Sequence, residues 1–215
     1  MNKIIFTAIA ASLALGTSNA QAQNAVTSRK HIEHAKTWEL IREKDVTEHT
    51  RNWSEIDSKA PENKLFAYSR KSTRDVNLID VLVSGIESGR IKVYANHVCT
   101  KEISKDEFHA LLKSFSPASV SKYNLKEDRL AATTLKEPVM RIVGLGPVMG
   151  DNKEPLFWVY YPEVRKVLAE SNVNCDDYDT PITWDDVMEH RLFSAHVTKV
   201  TEHPGQFTLD DVKTK

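Results

Sequence analysis

"EPLFWVYYPEVRKVLAES", Glu154 to Ser171, is the stretch whose reading decides the fold. An apolar and aromatic run, Leu156 to Tyr161, ends at Pro162. Val164, Val167 and Leu168 then fall at the spacing of one helix face. Proline has φ fixed in the helical range and lacks an N–H, so Pro162 fits the first turn of a helix. An unbroken apolar run of this length suits a strand covered on both faces. The stretch predicts an interior strand that runs into a helix, with Trp158 largely buried.

Upstream, "PVMRIVGLGPVMGDNKEP" (Pro138 to Pro155) predicts the preceding strand and a hairpin turn in "MGDNKEP". Downstream, "TWDDVMEHRLF" predicts a helix capped by Thr183, and "SAHVTKVT" (Ser194 to Thr201) a closing strand. Ile79, Leu82, Val83 and Ile86 form one helix face, with Asp75 or Asn77 as its cap and Gly89 at its end. Ser104 and Glu107 make a capping box before Phe108, Leu111, Leu112 and Phe115. "IKVY" (Ile91 to Tyr94) and "LFAYS" (Leu65 to Ser69) read as short strands, and "RNWSEIDSKAPENK" (Arg51 to Lys64) as irregular. Ile32, Ala35, Trp38, Leu40 and Ile41 have a loose helical spacing. "SPASVSKYNLKEDRLAATTLKE", residues 116–137, reads as a long polar connection and the candidate joint between two lobes. These elements predict an α+β fold, short strands and a hairpin packed with about four to five helices.

The N-terminus has the layout of a secretory signal peptide: basic Lys3, an apolar Ile4 to Gly16, and Ala20 and Ala22 before the cut. Residues 1–22 are read as the signal, 23–201 as the domain and 202–215 as a polar tail. The expectation is an exported, soluble chain that starts near Gln23, with no lipid-accepting cysteine beside the cut. Hydrophobic residues at 40% and charged residues at 27% are those of an ordinary globular chain. The formal charge of −1 carries no footprint for nucleic acid or an anionic membrane. Cys99 and Cys175 are either one disulfide or two separate buried thiols.

Motifs of chemistry are weak. "HIEH" (His31, Glu33, His34) lacks metalloprotease spacing and a third ligand. Gly144 to Pro147, "GLGP", precedes a strand and not a helix N-terminus, so it lacks the amide cradle for phosphate; its glycines mark a bulge or a close backbone approach. Asp176, Asp177 and Asp179 lack calcium-loop spacing, and Asp185 and Asp186 sit where acids favour a helix dipole. His97 near Cys99 is the one candidate nucleophile pair. No catalytic, cofactor-binding or metal-binding residue is assigned.

Several ordered motifs carry a resemblance. "LFWVYYPEVRKVL", "RIVGLGPV", "TWDDVMEHRLFSAHVTKV", and "RNWSEID" followed by "LIDVLVSGIESGRIKVY" resemble the GldN or PorN family of gliding-motility and type IX secretion proteins, over roughly residues 45–201. The resemblance implies a non-enzymatic periplasmic subunit on the inner face of the outer membrane. It implies a ring built with a lipoprotein of GldK or PorK type, and contact with the periplasmic part of a motor protein of GldM or PorM type. No nucleic-acid partner and no cofactor are expected. Trp158, Arg165 and Arg191 fall on the family's motifs and are the candidate structural or interface residues. A stand-alone periplasmic binding module and an exported hydrolase are the alternatives.

Overall fold

The computed structural model describes residues 38–69, 76–173 and 182–202. Five strands form one antiparallel sheet: β1 (Val46–Asp57), β2 (Val120–Ala132), β3 (Val139–Met149), β4 (Val159–Tyr160) and β7 (His196–Glu202). A small separate pair joins β5 (Asn172–Val173) to β6 (Ile182–Thr183). The large sheet runs in the order β4-β3-β2-β1-β7. The helices are α1 (Leu78–Glu87), α2 (Lys105–Leu112), α3 (Tyr161–Ala169) and α4 (Trp184–Glu189). The fold is α+β, as the periodicities predict.

One face of the sheet carries the main core. Ile56 on β1, Tyr123 and Leu125 on β2 and Leu145 on β3 pack against Leu82 and Ile86 of α1, Phe108 of α2, Val164 and Leu168 of α3 and Val187 of α4. Each helix is where its local signals place it. Gly89 ends the α1 turn at φ +74°. Ser104 Oγ accepts the Glu107 N–H, and Thr183 with Asp186 repeats the same reciprocal cap at α4. Among the described residues no helix is long and apolar enough to cross a membrane.

The strands required more correction. The stretch 116–137 is no connection: residues 120–132 are the middle strand, bonded to β1 on one side and β3 on the other, so it joins no two lobes. "RNWSEID" is not irregular but most of β1. Both strands look polar because one face of each carries ionised groups that are paired across the ladder. "LFAYS" is no strand either; a 3-10 turn, Pro61–Phe66, delivers Phe66 edge-on to Tyr123 and Trp184. Ile91 to Tyr94 contributes single bridges from Tyr94 to Glu102 and Trp158. Residues 38–42 are not helical.

Leu156 to Tyr161 is not an interior strand. Only Val159 and Tyr160 join the ladder, as edge strand β4, and Tyr161 already opens α3. The burial is nevertheless as expected, with Phe157 at 1% and Trp158 at 6% exposure. The reason is a clamp. Leu156 N–H donates to Pro147 O at 2.8 Å, and Trp158 exchanges two 2.8 Å backbone bonds with Tyr94. Both sides of the run are thus occupied without a full ladder.

The glycines of "GLGP" permit that clamp. A Cβ on Gly146 would stand 2.7 Å from Pro155 Cβ and 2.9 Å from Phe157 O, and one on Gly144 would press on Lys126 and the Trp158 ring. Gly146→Ala is therefore expected to cost about 1–3 kcal/mol through displacement of the 155–157 backbone. Urea unfolding checks this, and a variant with an unchanged midpoint contradicts it.

Candidate functional site

The register explains which side chains meet. Lys199, Trp53, Lys126, Gly144 and Tyr160 are successive partners in one row across all five strands. Their side chains lie on the face opposite the helices. There Trp158 sits edge-on to Trp53 at 6.1 Å and to His97 at 6.3 Å, with Tyr94 and Cys99 in the same buried cluster. The Lys126 ammonium lies 5.9 Å from the Trp53 ring centroid. Gly144 leaves room for the Trp158 ring.

The next part of that face is ionic. Arg51 and Asp128 are cross-strand partners, and the guanidinium grips the carboxylate at 2.7 and 2.8 Å. His49 Nε2 stands 3.1 Å from Asp128 Oδ1. All three side chains are buried. Burial by itself would raise the Asp128 pKa, but the hydrogen bonds with His49 and Arg51 together outweigh it, and the carboxyl lies below its ordinary 3.8. A carboxylate with a folded pKa below its unfolded one stabilises the protein fully above the unfolded value. That contribution disappears as pH falls through the folded value. The stability gap between the wild type and Asp128→Asn is expected to be constant above about pH 5 and to shrink steadily below about pH 4. Urea titrations at a series of pH values measure it; a gap that holds its size down to pH 3 would sink the assignment.

The second ionic cluster ties α3 to α4. Arg165 donates to Asp185 through Nε at 2.9 Å and Nη2 at 3.0 Å, with Glu189 Oε2 3.4 Å away. The Tyr161 hydroxyl donates to Asp185 at 3.2 Å. Trp38 closes the cluster from the far end of the chain. Its Nε1–H donates to Glu189 at 2.8 Å, and the guanidiniums of Arg165 (5.1 Å) and Arg141 (5.2 Å) both lie over its ring. Burial opposes the Arg165 charge, but Asp185 and Glu189 outweigh burial and raise its pKa. Burial, and after it the same two carboxylates, push the Tyr161 phenol far above its usual range, so it stays protonated.

Arg191 is placed by the end of α4. Leu192 N–H donates to Val187 O at 2.9 Å, a helix stop that puts Arg191 at φ +52°. Glycine is the usual residue there, since a side chain at this φ costs about 1 kcal/mol or more. Arg191 instead reaches inward to the buried Glu127 carboxylate, whose other oxygen accepts from Ser54 Oγ at 2.7 Å. Its guanidinium also stacks over Phe193 at 5.1 Å.

The residues singled out in the sequence thus fall into separate places. Trp158, Arg165 and Arg191 each contact other parts of this chain. Asp185 does more than favour a dipole, because it is the carboxylate that Arg165 holds. His97 is engaged with Trp53 at 4.7 Å, and Cys99 occupies a left-handed turn at φ +56° and not a strand. Cys175, His31, Glu33, His34, Asp176, Asp177 and Asp179 lie outside the described residues. Among the described residues no group of histidine, cysteine, aspartate and glutamate has a metal-holding arrangement. The sequence reading missed Trp38, Glu127 and Asp128. Only the alternation Glu127/Asp128 inside "SKYNLKEDRL", had it been read as a strand, points to them.

The arrangement defines a structural α+β module whose arginines cross-link its own elements. A model of the family described as gliding motility associated protein GldN matches residues 41–215, and the chain belongs to that family. It is a gliding-motility and type IX secretion component, of a family known for structural components and not for enzymes. Comparison with curated proteins gave no match.

Proposed function

We propose that the chain is exported and acts, without catalysis, as a subunit of the type IX secretion and gliding machinery. In this reading it sits in the periplasm against the outer membrane. It forms a ring with a lipoprotein of GldK or PorK type and meets the periplasmic part of a GldM- or PorM-type motor protein. The family match over residues 41–215 carries the proposal. Two further features support it: the signal-peptide layout of residues 1–22, and the commitment of Arg51, Arg165 and Arg191 to internal carboxylates.

The test is purification of the tagged chain from detergent-solubilised outer membrane, with sizing and crosslinking. The lipoprotein is expected to co-elute in a large assembly. A chain recovered alone as a monomer overturns the proposal. Mass spectrometry of the exported protein is expected to show an N-terminus near Gln23; an intact Met1 or a lipid mass refutes the export reading. Alanine at His31, His34, Asp176 or Asp177 is expected to leave secretion of a reporter cargo intact. Loss of secretion with folding and assembly preserved would turn the search to an enzyme.

A further inference from the structure

Trp38 is held by side chains that are far from it in the chain and close to one another. Tyr161 and Arg165 stand four apart on α3, and Asp185 and Glu189 four apart on α4, so each pair shares one helix face. The two faces are joined without Trp38, by the Arg165–Asp185 fork and the Tyr161 hydroxyl. Arg141 comes from β3. The indole therefore fits a site whose walls it does not itself build.

That site has the chemistry of an indole receptor. Glu189 accepts the ring N–H, Arg141 and Arg165 set positive charge against the π face, and Tyr161 stacks at 6.4 Å with 27° between the ring planes. A phenylalanine would bring no donor for Glu189. Beyond the ring, Glu39 O accepts from Arg141 Nη2, and with the described residues this is the one hydrogen bond from the 39–41 backbone to the body of the fold. The segment then leaves from a fixed point. Arg42 is extended, at φ −83° and ψ 141°, and the 3-10 turn Glu43–Asp45 is tied to the body where Thr133 N–H donates to Asp45 O at 2.8 Å. Trp38 is thus a ligand on a short tether.

We propose that this site takes Trp38 from a second copy of the chain as well as from its own, so that neighbouring copies exchange their 38–42 segments. The proposal rests on the reading of the chain as a ring subunit, which brings copies side by side. Exchange keeps every contact of the indole, because the same N–H meets the same carboxylate and the same guanidiniums meet the same ring. Only the tether changes, so concentration sets the balance. A short tether gives the chain's own Trp38 an effective concentration on the order of millimolar. Dilute chains therefore hold their own segment, and copies packed at a comparable local concentration exchange it. Five extended residues reach at most about 18 Å. The receiving α3–α4 face must lie within that reach of the donor's Glu43–Asp45 turn, which restricts exchange to adjacent copies. Each exchanged segment links two copies without a new surface.

The test has two parts, and neither uses the lipoprotein, so a failed co-purification bears on the ring and not on the site. In the first, calorimetry follows the capped peptide "WELIR", residues 38–42, into full-length Trp38→Ala. One-site binding is expected. It is expected to be about tenfold weaker or more in the wild type, whose own Trp38 competes, and in Trp38→Ala combined with Glu189→Leu, which lacks the acceptor. In the second, Glu189→Leu carrying 5-fluorotryptophan is mixed with unlabelled Trp38→Ala at about millimolar concentration. The Trp38 fluorine resonance is expected to move to its wild-type position on mixing, and not when the added chain carries both substitutions. If Trp38→Ala fails to fold, Trp38→Phe takes its place in both parts. A peptide that does not bind the folded variant overturns the proposal. So does a fluorine resonance that stays in place on mixing; if the peptide still binds, the occupant in trans is then a tryptophan of another protein.

Discussion

Arg165→Ala is expected to lower stability by about 3–5 kcal/mol, because it strands buried carboxylates without a counter-charge. The Arg165 side chain is 13% exposed, and its partners Asp185 and Glu189 are 5% and 11% exposed. A planar guanidinium satisfies both Asp185 oxygens and still faces Glu189, whereas a lysine ammonium matches neither that fork nor the stack on Trp38. Arg165→Lys is expected to recover only part of the loss. Urea unfolding of Arg165→Ala, Asp185→Ala and the double variant tests the pair. The double variant is expected to be clearly more stable than the two single losses predict, since the second removal relieves the stranded charge. Simple additivity would show that the two groups do not depend on each other. The same cluster predicts that the α3–α4 region loosens first, with Trp38 released alongside it.

Trp158→Ala is expected to cost about 3–5 kcal/mol as well, through a different mechanism. The indole is 6% exposed and fills the space between β3, where Gly144 leaves room, and the turn that carries His97 and Cys99. Truncation removes its transfer free energy and leaves a cavity that the clamped 155–158 backbone cannot close. Trp158→Phe keeps part of the volume and is expected to fall between. Near-ultraviolet circular dichroism gives an independent readout, because the perpendicular Trp53–Trp158 pair is lost. A melting temperature within a degree of wild type would place the residue's role at a surface, where a tryptophan acts as a binding anchor. Its burial points inward.

The helices were legible because their signals are local. Apolar spacing, the Ser104 and Thr183 caps, Pro162 and Gly89 all act within a few residues of where they stand, and the structure places α1 to α4 accordingly. The glycines of "GLGP" were legible in the same way, as a close approach of backbones. The two longest strands were not. β1 and β2 have charge on one face and a mixture of apolar and polar residues on the other, so neither shows the alternation by which a strand is recognised. Their polar faces are stable only because the register sets Arg51 opposite Asp128 and Trp53 opposite Lys126.

By itself the sequence determined the four helices, the Ser104 and Thr183 caps, the β3 strand and its turn, and the family to which the chain belongs. Tertiary structure alone decided that residues 120–132 are the middle of the sheet, and that only Val159 and Tyr160 of the apolar run join it, at its edge. It also decided that Arg165 and Arg191 bind Asp185 and Glu127 of this chain. The physical reason is the range of the interactions. A cap or a helical stripe is formed among neighbours along the chain. A buried charge is tolerable only opposite a partner, and for Arg51 that partner lies 77 residues away, brought near by strand pairing that no local pattern encodes.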